Sequence, residues 1–228
     1  MSTSRRTRHS LHPLSNVPGP PTGTIPKMAA SPRLTTVGCV GLGQMGEGMA
    51  SCLLSRGFPV TILGNRRRDP VDRLVSRGAT EAASPSALAA ASSTIVLCLP
   101  CSGTVESLVA ELKPSLVAER HTIIDTGTSS LESTAALSAA LGALGVGFAE
   151  APLTGGKAQA REGVLGALVG CDTATFTRVE PVLSAFCSTV EHFGGVGAGG
   201  RAKLINNGMV IGIAALVIEA FRKVGGWY

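Results

Sequence analysis

The sequence predicts an α/β fold: a doubly wound, mostly parallel sheet with helices on both faces, followed by the first helix of a second, all-α domain. Three observations lead there. From residue 34 onward, short β-branched runs alternate with helical stretches of roughly a dozen residues, the pattern of parallel strands joined by crossover helices. The first run is followed at once by a glycine-rich turn, Gly41-Leu-Gly43-Gln-Met-Gly46. Residues 201–224 are apolar at nearly every position, as a helix buried on all sides is, yet no remaining segment is long enough to bury them, so the helix is expected to stand exposed unless a partner covers it.

The elements follow in order. Strands are expected at 36–40, 59–63, 94–99, 122–125, 146–149, 164–169 and 189–192. Each is a short apolar run rather than a strict alternation, as strands covered on both faces are. Between them the pattern predicts helices at 43–56, where Met49, Leu53 and Leu54 form an apolar stripe, and at 71–77, 85–91, 104–112, 131–141 and 175–186. The run Gly194-Gly-Val-Gly-Ala-Gly-Gly200 reads as a hinge before the long helix 201–224. The chain of 228 residues therefore divides into a leader, 1–33, a dinucleotide-binding domain of Rossmann type, 34–198, and the start of a helical domain cut short, 199–228.

Charge and composition narrow the function. The formal net charge is +5. Arg5, Arg6, Arg8, Lys27 and Arg33 all precede the first acid, Glu47, so residues 34–228 are neutral. A nucleic-acid binder concentrates basic charge on its folded domain, and at 4% aromatic residues the chain has little with which to stack bases. The longest uninterrupted apolar run, 209–218, is half of what spans a bilayer, so no membrane is expected. The acid-free, Arg- and Ser-rich leader lacks a secretory apolar segment and resembles an organelle transit peptide, pointing to a mitochondrion or another organelle. Its prolines (18, 20 and 21) leave open a disordered extension, or a start at Met28 and a cytoplasmic protein. Without a secretory signal, an even count of six cysteines does not imply disulfides. Cys98-Leu-Pro-Cys101 has no second pair to complete a zinc site and reads as structural, so no metal is expected.

The glycine turn carries chemistry. After a strand and before a helix, Gly41 makes the tight turn, Gly43 lets the backbone approach a pyrophosphate, and Gly46 lets helix and strand pack closely. Leu42, Gln44 and Met45 complete the loop, and the helix N-terminus presents its free amides to phosphate. An NAD site would place Asp or Glu about 20 residues on, at the end of the second strand. Asn65, Arg66 and Arg67 stand there instead. Guanidinium groups hold a 2′-phosphate that a carboxylate would repel, so the cofactor reading is NADP(H) ahead of NAD. The competing reading is a solvated charge run.

Val40-Gly-Leu-Gly-Gln-Met-Gly-Glu-Gly-Met-Ala50 resembles the opening of the β-hydroxyacid dehydrogenases, the family of 3-hydroxyisobutyrate dehydrogenases and semialdehyde reductases, related to 6-phosphogluconate dehydrogenase. Three later segments are similar to the family in the same order. They are Asp125-Thr-Gly-Thr128, Glu150-Ala-Pro-Leu-Thr-Gly-Gly156, and Gly197-Ala-Gly-Gly-Arg-Ala-Lys203-Leu-Ile-Asn-Asn207. The resemblance implies hydride transfer between NADP(H) and a small hydroxy acid, semialdehyde or 2-oxo acid, in an enzyme that is a homo-oligomer at full length. Carried over by position, Lys203 becomes the catalytic lysine, and Asn207 orients the substrate beside it. Spacing agrees, since i and i+4 share one helical face. Thr154, Gly155 and Gly156 fall in the loop for the substrate carboxylate. Leu99, Pro100 and Thr104 flank the nicotinamide, and Thr128 contacts both cofactor and substrate.

The chain departs from that pattern. Gly127 stands where the family usually has a substrate-binding serine. Losing one such hydrogen bond to a charged group costs about 1.5–3 kcal/mol, roughly 10- to 100-fold in binding. Thr154 replaces serine and Cys52 replaces a common asparagine. The family continues into a further helical domain, which closes the active site and builds the dimer, beyond the point where this chain stops. The expectation is a truncated dehydrogenase that binds its cofactor and turns over weakly or not at all. The alternative is a non-catalytic dinucleotide-binding or dimerisation module.

Overall fold

A computed structural model describes residues 35–64 and 67–225, which lie within the compact unit Arg33–Tyr228. Six parallel strands form the first half of the sheet: β1 (Val37–Val40), β2 (Val60–Leu63), β3 (Thr80–Ala82), β4 (Thr94–Leu97), β5 (Thr122–Asp125) and β6 (Gly147–Glu150). They lie in the order β3-β2-β1-β4-β5-β6, reversing direction of travel at β1, and their connecting helices are α1 (Gln44–Ser55), α2 (Asp69–Val75), α3 (Pro85–Ala91), α4 (Ser102–Leu112) and α5 (Leu131–Gly142). This is the Rossmann-type doubly wound sheet that the sequence predicts. A second portion adds β7 (Leu153–Thr154), α6 (Lys157–Glu162), β8 (Leu165–Gly170), α7 (Thr173–Leu183) and β9 (Cys187–Gly194). Here β8 meets β6 and β7 antiparallel and β9 parallel.

Alternation of side chains divides the core into two layers. Val37, Cys39, Val96, Ile124 and Ala149 point to one face, where they pack with Met49 and Leu53 of α1, Leu74 of α2, and Val179 and Leu183 of α7. Val40, Ile95, Leu97, Ile123 and Phe148 point to the other, against Leu88 of α3, Val105 and Leu112 of α4, and Leu137 and Leu141 of α5. All of these side chains are buried. Burial on both faces is why the strands read as continuous apolar runs.

Helix starts fall into two groups. Ser84, Ser130 and Asp172 cap α3, α5 and α7 by accepting hydrogen bonds from the amides of Ala87, Ser133 and Thr175. Among the described residues, the first turns of α1 and α4 have no side-chain cap. Their orphan amides are open to an anion.

The structure corrects the sequence reading in two places. It adds β3, β7 and α6, which are three, two and six residues long and too short for periodicity to register. The glycine run expected to be a hinge is half helix, because α8 (Ala198–Gly225) begins inside it. The rest of α8 is as expected of an apolar helix with no segment to cover it: Leu216 is 72% and Phe221 75% exposed, because among the described residues only its first turns meet the sheet. The segment Ala198–Val224, which contains an 18-residue stretch of mean hydropathy 1.8, is long and apolar enough to cross a membrane by length and composition. The expectation of no membrane rested on an uninterrupted apolar run and does not follow from this helix.

Candidate functional site

The parallel strands end in one row. Val40, Leu97, Asp125 and Glu150 are register neighbours across β1, β4, β5 and β6, so the loops that follow them emerge together at the carboxyl edge of the sheet. In open α/β sheets this is where ligands bind. The first of these loops is the glycine turn. Gly41 has φ +92°, a conformation that side chains rarely adopt, and a side chain at Gly46 would collide with the Gly41 carbonyl oxygen. At Gly43, by contrast, a Cβ would meet nothing within 4 Å. The turn is thus tight where it packs on itself and open above the uncapped start of α1, as a pyrophosphate cradle must be. Gln44 is exposed, and Leu42 and Met45 are partly buried against the core.

The next two loops lie beside it. Leu99 is half-buried, while Pro100 and Thr104 are exposed around the start of α4. The Thr104 hydroxyl lies 3.2 Å from the Cys101 thiol and, with nearby backbone amides, holds that thiol below its ordinary pKa. All six cysteines are free thiols. At the end of β5, the buried Asp125 carboxylate accepts hydrogen bonds from the Gly127 amide (2.9 Å) and the Ser129 hydroxyl (2.6 Å). A Cβ at Gly127 would lie 3.1 Å from this carboxylate and 3.4 Å from the Leu99 carbonyl oxygen. The glycine found there suits a loop drawn inward by Asp125. Thr128, next along, is exposed.

The fourth loop leads through β7 into α6. The Thr154 hydroxyl is 3.5 Å from the Gly166 carbonyl oxygen, Gly155 has φ +100°, and Gly156 begins α6 with its amide donating to Gln159 Oε1 at 3.0 Å. Helix α8 starts against the same edge. A Cβ at Gly200 would fall between Leu131 of α5 and Glu150 of β6, and one at Gly199 would strike the Leu168 carbonyl oxygen. The backbone is therefore seated directly on β8. Glu150 is only 4% exposed, and its Oε1 accepts from the Gly199 amide at 3.1 Å. Burial pushes its carboxyl pKa up, opposed by the amides of Gly200, Gly197 and Gly199 and by the charge of Arg201. One turn further on, Lys203 is partly buried, and desolvation lowers its pKa. Asn207 is also partly buried.

At the end of β2, Asn65 and Arg66 lie outside the described residues, and Arg67 is exposed. The neighbouring Arg68 is engaged elsewhere. Its guanidinium forks onto Glu81 (2.6 and 3.0 Å) and reaches Asp72 (3.1 Å), which lowers the Glu81 pKa. Glu47, in the first turn of α1, is clamped by Arg73 of α2 at 2.6 and 3.0 Å and is likewise held below the usual carboxylate range.

Residues 41–46, 99–104, 127–128, 154–156 and 203–207 thus come from separate stretches of chain to elements that meet at one edge. Sequence reasoning overlooked Glu150, Asp125, Ser129 and the Arg68–Glu81 pair. One signal was available for Glu150. The segment 197–200 opens a helix with glycines and alanine alone, so a cap must come from elsewhere in the chain.

Comparison with known proteins agrees with the fold. Residues 36–195 match the family described as the NAD binding domain of 6-phosphogluconate dehydrogenase. The chain is 33% identical over 173 residues to 2-(hydroxymethyl)glutarate dehydrogenase of Eubacterium barkeri, covering 75% of this chain and 57% of that protein. It is 32% identical over 191 residues to the mitochondrial 3-hydroxyisobutyrate dehydrogenase of Drosophila melanogaster, covering 82% of this chain and 59% of the relative. Among solved structures, Psf3 in complex with NADP+ and 2-OPP superposes with a TM-score of 0.73 at 28% identity, covering 83% of this chain and 69% of that one. The chain therefore spans less than two thirds of the length of the two curated relatives.

Proposed function

The chain belongs to the family of the NAD binding domain of 6-phosphogluconate dehydrogenase, and we propose that it carries the cofactor-binding half and the proton-transfer lysine of an NADP(H)-dependent dehydrogenase acting on a small hydroxy acid or semialdehyde. One observation carries the reading: the uncapped, sterically open turn at Gly43 stands at the same sheet edge as the first turns of α8, which bear Lys203 and Asn207.

The turn and α1 would hold the pyrophosphate through backbone amides, with Leu99, Pro100 and Thr104 beside the nicotinamide and Thr128 between cofactor and substrate. When bound, the nicotinamide supplies or takes up the hydride. Lys203 Nζ gives a proton to the carbonyl oxygen during reduction and recovers it during oxidation. Burial that lowers its pKa brings it toward the range where it can do both near neutrality. Asn207, one turn along on the same face, orients the substrate oxygen. The loop 154–156 receives the substrate carboxylate on its backbone amides.

NADP(H) is favoured over NAD(H) by Arg66 and Arg67, and the relative bound to NADP+ supports that choice. Glu81, the carboxylate nearest Gly64, is neutralised by Arg68 and so offers no bare charge to repel a 2′-phosphate. An Arg66→Asp variant should weaken NADPH binding far more than NADH binding. Equal effects would make Arg66 surface charge. An organelle location, suggested by the leader, is supported by the mitochondrial relative.

The exposed apolar length of α8 favours a second reading, a cofactor-binding module without turnover. Calorimetry with NADPH tests the shared half of the two readings, and no binding would refute both. NADPH oxidation at 340 nm with succinic semialdehyde or glyoxylate separates them, because robust turnover excludes the second.

A further inference from the structure

We propose that Glu150 is the positioning residue for Lys203: its carboxylate reaches from the end of β6 to the first-turn amides of α8 and sets the direction in which that helix presents the lysine. The kinetic consequence rests on Lys203 being the proton-transfer group, whereas the structural consequence does not.

The first residues of α8 offer no side chain that could accept from its orphan amides. Glu150 takes that role from 49 residues away in sequence, through the Gly199 amide at 3.1 Å. Its second oxygen faces Gly200, where a Cβ would lie 3.0 Å from it. Gly170 and Gly200 leave room for the carboxylate, and Gly199 and Gly200 let the helix start sit close enough for it to reach. A Cβ at Gly170 would collide with Glu150 Oε1, one at Gly199 with the Leu168 carbonyl oxygen, and one at Gly200 with Leu131. The charge is held under burial that disfavours it, against a helix start whose partial positive charge favours it. The other charged or titratable groups around it are Arg201 on α8, Cys171 after β8 and its register neighbour Asp125 on β5, while Glu132 of α5 and Arg178 and Glu180 of α7 face solvent. Gly199 and Lys203 are four residues apart, so a cap on one fixes the turn that carries the other.

A glutamine keeps the shape but loses the charge and one of the two acceptor atoms, while an aspartate keeps the charge on a shorter arm. Amide hydrogen exchange of the 228-residue protein should show Gly199 and Gly200 exchanging on the order of 10-fold faster in Glu150→Gln, the scale of one lost charge-assisted bond. Glu150→Asp should restore most of the protection. By 15N NMR, Lys203 Nζ should titrate closer to an ordinary lysine in Glu150→Gln. With NADPH and succinic semialdehyde, kcat should fall about 10-fold or more while NADPH affinity stays within about twofold. Unchanged protection and unchanged Lys203 titration in Glu150→Gln would overturn the proposal. If wild type shows no turnover, the dehydrogenase reading fails, and exchange and titration still decide the role of Glu150. If Glu150→Gln does not fold, wild type decides. The protection of Gly199 and Gly200 should fall in step with protonation of the 13C-labelled Glu150 carboxyl, and protection indifferent to it refutes the cap.

Discussion

Replacing Gly43 by alanine separates cofactor binding from folding. Gly43 lies at the N-cap of α1 with φ −73° and ψ −171°, a conformation open to alanine, and its Cβ would meet nothing within 4 Å. The loss of glycine's modest N-cap preference, roughly 0.5 kcal/mol, is offset by about 0.4–1 kcal/mol from a less flexible unfolded chain. The melting temperature should therefore stay within about 3 °C of wild type. With cofactor bound, the methyl group occupies the space through which a pyrophosphate approaches the uncapped amides of α1. Loss of one charge-assisted hydrogen bond costs about 1.5–3 kcal/mol, so NADPH affinity should fall roughly 10- to 150-fold. Calorimetry with NADPH alongside a thermal melt reads both quantities. Affinity within twofold of wild type would refute the cradle. Gly46→Ala provides the opposite control: its Cβ falls on the Gly41 carbonyl oxygen, and such overpacking costs about 1–3 kcal/mol or more, so it should lower the melting temperature before any ligand is added.

Lys203→Met should leave NADPH binding intact and reduce turnover about 10²- to 10⁴-fold, the usual contribution of proton transfer; loss of NADPH binding instead would place Lys203 in the cofactor site. Because burial lowers the Lys203 pKa, the folded protein holds this proton less tightly than the unfolded chain does. The resulting destabilisation is present at low pH and relieved as pH rises through the folded pKa. Lys203→Met should accordingly melt no lower than wild type at pH 6, and the gap should shrink toward pH 10. Leu53, fully buried between α1 and the sheet, should cost about 2–5 kcal/mol as alanine in urea titrations. Ser92 Oγ is buried without a hydrogen-bond partner among the described residues, so Ser92→Ala should be neutral or stabilising by up to about 1–3 kcal/mol; a clear loss of stability would show that the hydroxyl has a partner in solution.

Much of the fold was legible because it is locally encoded. The strand at 122–125 and the helix at 85–91 have the bounds that the apolar pattern predicts, and the other long elements differ by a few residues at their ends. Strand β3, Thr-Glu-Ala, could not be read this way, because two of its three side chains are exposed and it exists through pairing with β2. Arg68 reads with Arg66 and Arg67 as one basic run, yet the fold brings Glu81 to it from the next strand.

What the sequence by itself determined is the alternation of strands and helices and the glycine turn at 41–46, because each depends on residues a few positions apart. Lys203 and Asn207 were marked by spacing and resemblance. Tertiary structure alone decided what surrounds them. It brought a buried Glu150 to the start of α8 and drew Asp125 and Ser129 into the loop carrying Gly127. Periodicity records that a helix is apolar on every side. Whether anything lies against it depends on contacts between residues far apart in the chain, and no local pattern encodes those.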